Sequence, residues 1–315
     1  MTAHTTDLPP AAPRQGVATA NLLCMISMLI WAAGLPAAEL IIPLLRSEQL
    51  AALRMILAAA ALLPMWLALD GPAALARAPW GKGIAVGSLL GFGAWFLVMG
   101  QARGGAVTAA VISATMPVVG MALEVVLDGR RVTAALILGL VLALAGGVLG
   151  LDFSAGGLSM GFGALLCFGS VLTFTVGSRL TVTAFPALSP IGRTALTISG
   201  AAIALTLLSA LPVIGGQTAL PDFSGWGWRE VAALLAFSVG ALAVSQYLWI
   251  ISVERLGIGA SSLHINLAPF YVMVIFFLMG GAWNWLPVAA AALVGLGVLI
   301  AQGLIPLPFT RKTVP

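Results

Sequence analysis

The strongest constraint on this chain is an apolar stretch from Gly257 to Gly281, GIGASSLHINLAPFYVMVIFFLMGG. It exceeds the roughly 20 residues that a helix rising 1.5 Å per residue needs to cross a ~30 Å hydrocarbon core, and reads as a membrane span. It has a twin: from Gly105 the chain runs GAVTAAVISATMPVVGMALEVVL. Each stretch has small residues first, a proline twelve positions after the opening glycine (Pro117, Pro269), then bulky apolar side chains. A proline inside a spanning helix frees a backbone carbonyl and kinks the helix, which is tolerated where neighbouring protein or a wet cavity serves the freed group. The pair predicts two broken helices near the middle of the membrane.

The rest of the chain agrees. It is 61% hydrophobic and 8% charged over 315 residues, with mean hydropathy +1.10, too little polar surface to clothe a soluble globule. The net charge of +4 comes without any basic cluster longer than two adjacent residues, so nucleic acid is not an expected partner. Cys24 and Cys167 each lie inside an apolar run, where a thiol behaves as a small hydrophobe; no disulfide, metal or cofactor is expected. Residues 1–16 are polar and proline-rich and read as a disordered tail, with a second tail at 306–315.

Ten apolar runs lie between these tails, at about 17–39, 48–69, 82–101, 105–127, 132–150, 158–182, 188–211, 229–252, 257–281 and 286–305. Most connections are short, so successive helices run antiparallel and no extramembrane domain fits between them. On one side fall Arg14, Arg77, Lys82, Arg130, Arg131, Arg179, Arg193, Arg255, Arg311 and Lys312; on the other only Arg46, Arg54, Arg103 and Arg229. Under the positive-inside rule both termini are expected in the cytoplasm. Trp226, Trp228, Trp283 and Trp285 gather at helix ends on the sparse side, where an aromatic belt belongs.

The runs repeat. Cys24 and Cys167 stand 143 apart, as do Ser27 and Ser170, and Gly34 and Gly177; Arg54 and Arg193 stand 139 apart; and Arg103 and Arg255, Gly105 and Gly257, Pro117 and Pro269, and aromatic Trp95 and Tyr247 all stand 152 apart. Matches in chain order that include rare charged residues point to duplication. The expected fold is all-α and integral to the membrane, ten transmembrane helices in two five-helix repeats, 17–150 and 158–305. Five is odd, so the second copy enters from the opposite face and the repeats are inverted, a build that recurs in secondary transporters with midplane sites.

The ten-span plan, Arg54 and Arg193 near the starts of the second and seventh spans, and the small-residue spans broken by Pro117 and Pro269 resemble the EamA-type carriers of the drug/metabolite transporter superfamily. Trp31 and Pro36 followed by Arg54 look like that family's N-terminal half. The second half departs from it, with Phe174 opposite Trp31 and Trp283-Asn284-Trp285 in place of an acidic residue. Near the bacterial amino-acid exporter branch, the resemblance implies an inner-membrane carrier exporting neutral and aromatic amino acids.

Spans 3, 4, 8 and 9 are expected to wall the substrate cavity. Trp95 and Met99, at i and i+4, share a helix face, as do Tyr247 and Ile251. Ser113, Met116 and Pro117, with Ser261, His264, Asn266 and Pro269, complete a mostly apolar pocket with a few polar groups. His264 has two readings: a proton-coupling group, or a neutral imidazole holding a hydrogen bond. Arg54 and Arg193 either snorkel as structural cations or, with Trp31, gate the path or bind a carboxylate; the structural reading is preferred. Gln246 and Asn266 are neutral amides suited to bonding neighbouring helices. Gly139, Gly146, Gly147, Gly295 and Gly297 read as helix-packing residues of spans 5 and 10.

These features favour a secondary transporter of small neutral or zwitterionic metabolites working by alternating access, with a proton-coupled antiporter as the alternative. The bilayer and a small-molecule substrate are the only partners required, and no obligate protein partner is expected. An intramembrane enzyme would need a nucleophile with its base or a metal cluster, and no HExxH or intramembrane aspartate pair is present. A channel would need repeated selectivity loops or rings of like charge, which are also missing.

Overall fold

The computed structural model describes residues 14–129, 132–149, 153–301 and 305. These residues form α1 (Arg14–Ile41), α2 (Ser47–Ala76), α3 (Trp80–Ser113), α4 (Met116–Asp128), α5 (Ala134–Leu149), α6 (Phe153–Thr183), α7 (Pro190–Ile214), α8 (Trp228–Leu235), α9 (Ser245–Ser262), α10 (Ala268–Leu278) and α11 (Trp285–Ala301). A π-helical segment, Ala236–Val244, joins α8 to α9, and a 3-10 segment, Leu263–Leu267, joins α9 to α10. Among the described residues six helical stretches are long and apolar enough to cross a membrane, and four shorter apolar helices accompany them. The protein is a multi-pass, all-helical membrane protein. α1 already begins at Arg14, so the end of the expected 1–16 tail is helical; the rest of it, Arg130, Arg131 and the 306–315 tail lie outside the described residues.

Local chemistry sets several helix ends. Ser189 caps α7 by accepting the Gly192 N–H at 3.1 Å, with Pro190 in the first turn, where its missing N–H costs nothing. The Glu230 carboxylate accepts the Gly227 N–H at 2.8 Å and so starts α8. The two proline-containing spans are broken more completely than a kink requires. α3 turns at Gly105 (φ 76°, ψ 169°) and α9 at Gly257 (φ 78°, ψ 162°), a region essentially reserved for glycine that costs another residue about 1–3 kcal/mol. α3 then stops at Ser113 and α4 starts at Met116, while α9 stops at Ser262 and α10 starts at Ala268. Pro117 and Pro269 therefore sit in first turns, where no intrahelical donor is needed, rather than inside continuous helices. Positive-φ glycines elsewhere pair in the same way: Gly71 with Gly216, 145 apart, and Gly129 with Gly280, 151 apart.

Packing is led by contacts of α3 with α6 and α7, of α2 with α7, and of α1 with α9 and the π segment; α5 and α11 pair with each other. Missing side chains permit these approaches. A Cβ at Gly34 would lie 2.2 Å from Ala241 Cβ, and one at Gly177 would lie 2.5 Å from a Leu90 methyl, so each member of this repeat pair lets its helix close on the other half. Gly146 and Gly297 bring α5 and α11 together, with an added Cβ 2.8 Å from the Ala290 carbonyl and 2.7 Å from the Gly139 carbonyl. Gly295 faces open space, so the packing role expected for it does not hold.

The crossing of α3 with α7 involves main chain on both sides: a Cβ at Gly87 would sit 2.3 Å from the Thr197 carbonyl oxygen, and one at Gly200 2.4 Å from that of Gly83. Main-chain atoms cannot rotate aside. Gly87→Ala and Gly200→Ala are each expected to cost about 1–3 kcal/mol, read as a lower thermal midpoint in detergent, whereas Gly295→Ala should leave the midpoint unchanged.

Candidate functional site

The helices leave a cavity of about 60 Å³ where α1, α2, α3, α6, α7, the π segment and α9 converge. Its wall is mostly apolar. Trp31 from α1, Phe174 from α6 and Trp249 from α9 supply aromatic surface, with the last two rings 6.3 Å apart at 42°. Leu90, Ala94 and Leu97 of α3, spaced at i, i+4 and i+7, present one stripe of that helix. Polar groups are few: Ser113, Ser170, Ser245 and Gln246. The Ser27 hydroxyl behind this wall donates to the Ser245 carbonyl at 2.8 Å and ties α1 to the start of α9.

One charge faces the cavity. Arg54 of α2 is 2% exposed, and its Nε donates to the Phe237 carbonyl at 3.1 Å. Its guanidinium carbon lies 3.9 Å from the centroid of the Phe237 ring, a cation–π contact. Phe237 belongs to the π segment, whose wider turn re-aims carbonyls away from the usual helical partner. Among the described residues no carboxylate pairs with Arg54. The repeat-related Arg193 is placed differently: Nε donates to the Phe185 carbonyl at 2.9 Å, one terminal nitrogen to the Pro186 carbonyl at 3.2 Å, and the other to Glu254 at 3.2 Å. Every guanidinium nitrogen of Arg193 has an acceptor and the residue stands outside the cavity, whereas Arg54 lines it with a single acceptor.

Of the residues singled out in the sequence, Trp31, Arg54, Ser113 and Met116 line this cavity together, while Trp95, Met99, Pro117, Tyr247, Ser261, His264, Asn266 and Pro269 do not. Trp95 and Tyr247 pack instead against the cluster that contains Trp66 and Leu196. Residues two apart on a helix face away from each other, so Trp249 reaches the cavity where Tyr247 does not. Trp95 and Tyr247, 152 apart in the sequence, both pack against that one cluster, and helical phase keeps both rings out of the space. His264 lies in the 3-10 segment with Nδ1 3.2 Å from the Ser261 carbonyl, which also accepts from Cys24 Sγ at 3.4 Å. Trp249 and Phe174 therefore join the wall through tertiary placement.

At the C-terminal end of α1, the Glu39 carboxylate accepts the Ala106 N–H at 2.6 Å, capping the helix that restarts after Gly105, and the Gln101 amide donates to the Leu35 carbonyl at 2.6 Å. Among the described residues nothing lies within 4 Å of where a Cβ at Gly257 would stand, whereas Glu39 Oε1 lies 3.4 Å from that position at Gly105. The two bends are thus alike in backbone and different in their partners.

Residues 18–151 match the EamA-like transporter family. This is the family that the resemblance of Trp31, Pro36 and Arg54 to EamA-type carriers leads one to expect, and the match covers the first half of the chain. A solved structure described only as "Crystal structure of protein" is similar across both halves, with 24% identity, a TM-score of 0.65, and coverage of 91% of this chain and 97% of its own, which establishes a shared fold. No curated protein matches. The cavity at Arg54 draws its lining both from the matched segment, with Trp31 and Arg54, and from the rest of the chain, with Phe174 and Trp249.

A buried cation with one neutral acceptor contributes little to stability, whereas a saturated one leaves orphan acceptors behind when it is removed. In the empty protein, Arg54→Met is expected to change the unfolding free energy by less than about 1 kcal/mol or to raise it, and Arg193→Met to lower it by about 1–3 kcal/mol. Thermal unfolding of both variants in detergent distinguishes these outcomes.

Proposed function

We propose that this EamA-like protein is a secondary transporter that exports small neutral or zwitterionic metabolites, foremost neutral and aromatic amino acids, across a bacterial inner membrane. The observation that carries this reading is the cavity itself, an aromatic-walled space built by helices from both halves of the chain around one buried cation. Its few polar groups and three aromatic walls suit an apolar side chain with a small polar head. A strongly anionic substrate such as a nucleotide sugar would need several cations, and Arg54 is the one the lining offers.

The proposed architecture is ten spans in two inverted five-helix repeats, 17–150 and 158–305, with both termini cytoplasmic. Helix contacts support it. Exchanging α1 with α6, α2 with α7, and α3 with the α8–π–α9 rod turns the α3–α6 contact into the α1–α9 contact and the α3–α7 contact into that of α2 with the π segment. The positive-φ glycines pair under the same exchange. Inverted repeats that meet at a midplane site support alternating access by rocking one group of helices against the other. At about 60 Å³ the cavity is smaller than the ~150 Å³ that houses benzene in an engineered core, so loading an aromatic substrate requires the walls to part.

Proteoliposomes loaded with labelled phenylalanine should release it faster when unlabelled phenylalanine is added outside. Acceleration by sugar nucleotides equal to that by amino acids would overturn the substrate class, and no acceleration by any added solute would overturn the carrier reading. Trp31→Ala should raise the half-saturating concentration for phenylalanine several-fold more than that for alanine, with Trp95→Ala, one layer behind the wall, changing neither.

Exchange without obligatory proton coupling is the proposed mode, since His264 stands outside the lining with its Nδ1 near a carbonyl of the preceding helical turn. The proton-coupled alternative predicts accumulation driven by an imposed pH gradient and abolished in His264→Gln. Equal transport by parent and variant, with and without the gradient, is the expected result.

A further inference from the structure

Three observations on the cavity converge on the chemistry of its ligand. Arg54 is buried with one neutral acceptor and one aromatic face as its partners, and a guanidinium presents five N–H donors in a planar fork matched to a carboxylate. Trp249, 1% exposed, lines the same cavity, and its Nε1–H has no hydrogen-bond partner among the described residues. A buried indole N–H ordinarily finds an acceptor. The lining residues include no Asp or Glu, so nothing on the wall neutralises the cation. The site is therefore rich in donors and poor in anionic acceptors.

We infer that the cavity takes a monocarboxylate with an apolar or aromatic side chain, its carboxylate held by the Arg54 guanidinium together with the Trp249 indole N–H and its side chain lying among Trp31, Phe174 and Met116. This rests on the reading of the cavity as the substrate site and narrows it: an amino acid is held through its carboxylate, and its ammonium is not required. Arg54 belongs to the first half and Trp249 to the second, so one carboxylate bridges the two halves. Substrates without that group lose the bridge. Specificity then comes from both ends of the ligand, because the cation needs its counter-ion and the apolar wall rejects a second anionic group.

The test is a ligand series on the purified full-length protein in lipid nanodiscs, with binding followed by calorimetry. 3-Phenylpropanoate and L-phenylalanine carry the carboxylate; L-phenylalaninamide and phenethylamine share the side chain and lack it. Both acids should bind at least about tenfold more tightly than the amide and the amine, the scale of a hydrogen bond to a charged group. Arg54→Gln should erase that preference, Arg54→Lys should keep part of it, and Trp249→Phe should weaken the acids a few-fold while leaving the amide unchanged. Equal binding of acid and amide by the parent overturns the inference, as does no binding of either acid, or an acid preference that survives in Arg54→Gln. The parent series decides by itself should a variant fail to fold. Arg54-dependent binding of 3-phenylpropanoate with no carriage of phenylalanine leaves the inference standing and removes the amino-acid reading; carriage of phenylalanine unaffected by Arg54→Gln does the reverse.

Discussion

A backbone polar group inside a bilayer has no water to turn to, and that constraint bears on the interruptions of α1–α11 among the described residues. A continuous helix serves itself. Where the chain departs from one, a partner from another helix is repeatedly found: Glu39 accepts from the N–H of Ala106 after the Gly105 bend, and Arg54 donates to the Phe237 carbonyl in the π segment. Cys24 and His264 converge on the carbonyl of Ser261 beside the second break. The breaks surround the cavity because irregular backbone at membrane depth must be enclosed by protein or line a polar space. The same condition makes the broken region the place where a small molecule can be met by directed groups.

The second organising term is distance. Without a hydrophobic drive to bring helices together in lipid, association depends on close van der Waals contact, and glycine supplies it at the crossings of α3 with α7, α1 with the π segment, and α5 with α11. Gly34 and Gly177 perform the same service for opposite halves, one against Ala241 and the other against Leu90. Against this background of likeness the two arginines differ. Arg193 found three acceptors near the α6–α7 turn and became part of the frame, while Arg54 was left facing the cavity with its charge unanswered. Equivalence in sequence thus gave one structural cation and one available for work.

Much of the fold was legible because bilayer crossing needs length and apolarity, both of which are linear properties of sequence. The broken spans were legible from Gly105, Pro117, Gly257 and Pro269, since each residue restricts or frees the backbone whatever surrounds it. What the pattern missed was the completeness of the breaks, because a proline reads as a kink until one sees that it opens a new helix. The wall of the cavity was legible only in part. Trp31, Arg54, Ser113 and Met116 reach it, but Trp95 and Tyr247 fell on the wrong faces, since a rotation of about 100° per residue decides whether a ring meets a space or a neighbour.

By itself, then, the sequence determined that this protein lives in a membrane as a bundle of helices, and where two of those helices would be interrupted. These follow from composition, run length and backbone stereochemistry, none of which needs a neighbour. Tertiary structure alone decided which aromatic rings enclose the cavity, that a π segment offers its carbonyl to Arg54, and that Arg193 has an acceptor at each nitrogen while Arg54 has one. Those outcomes depend on helical phase and on the acceptors that distant segments happen to bring within 3 or so Å, on the order of a hydrogen bond, and no local pattern encodes them.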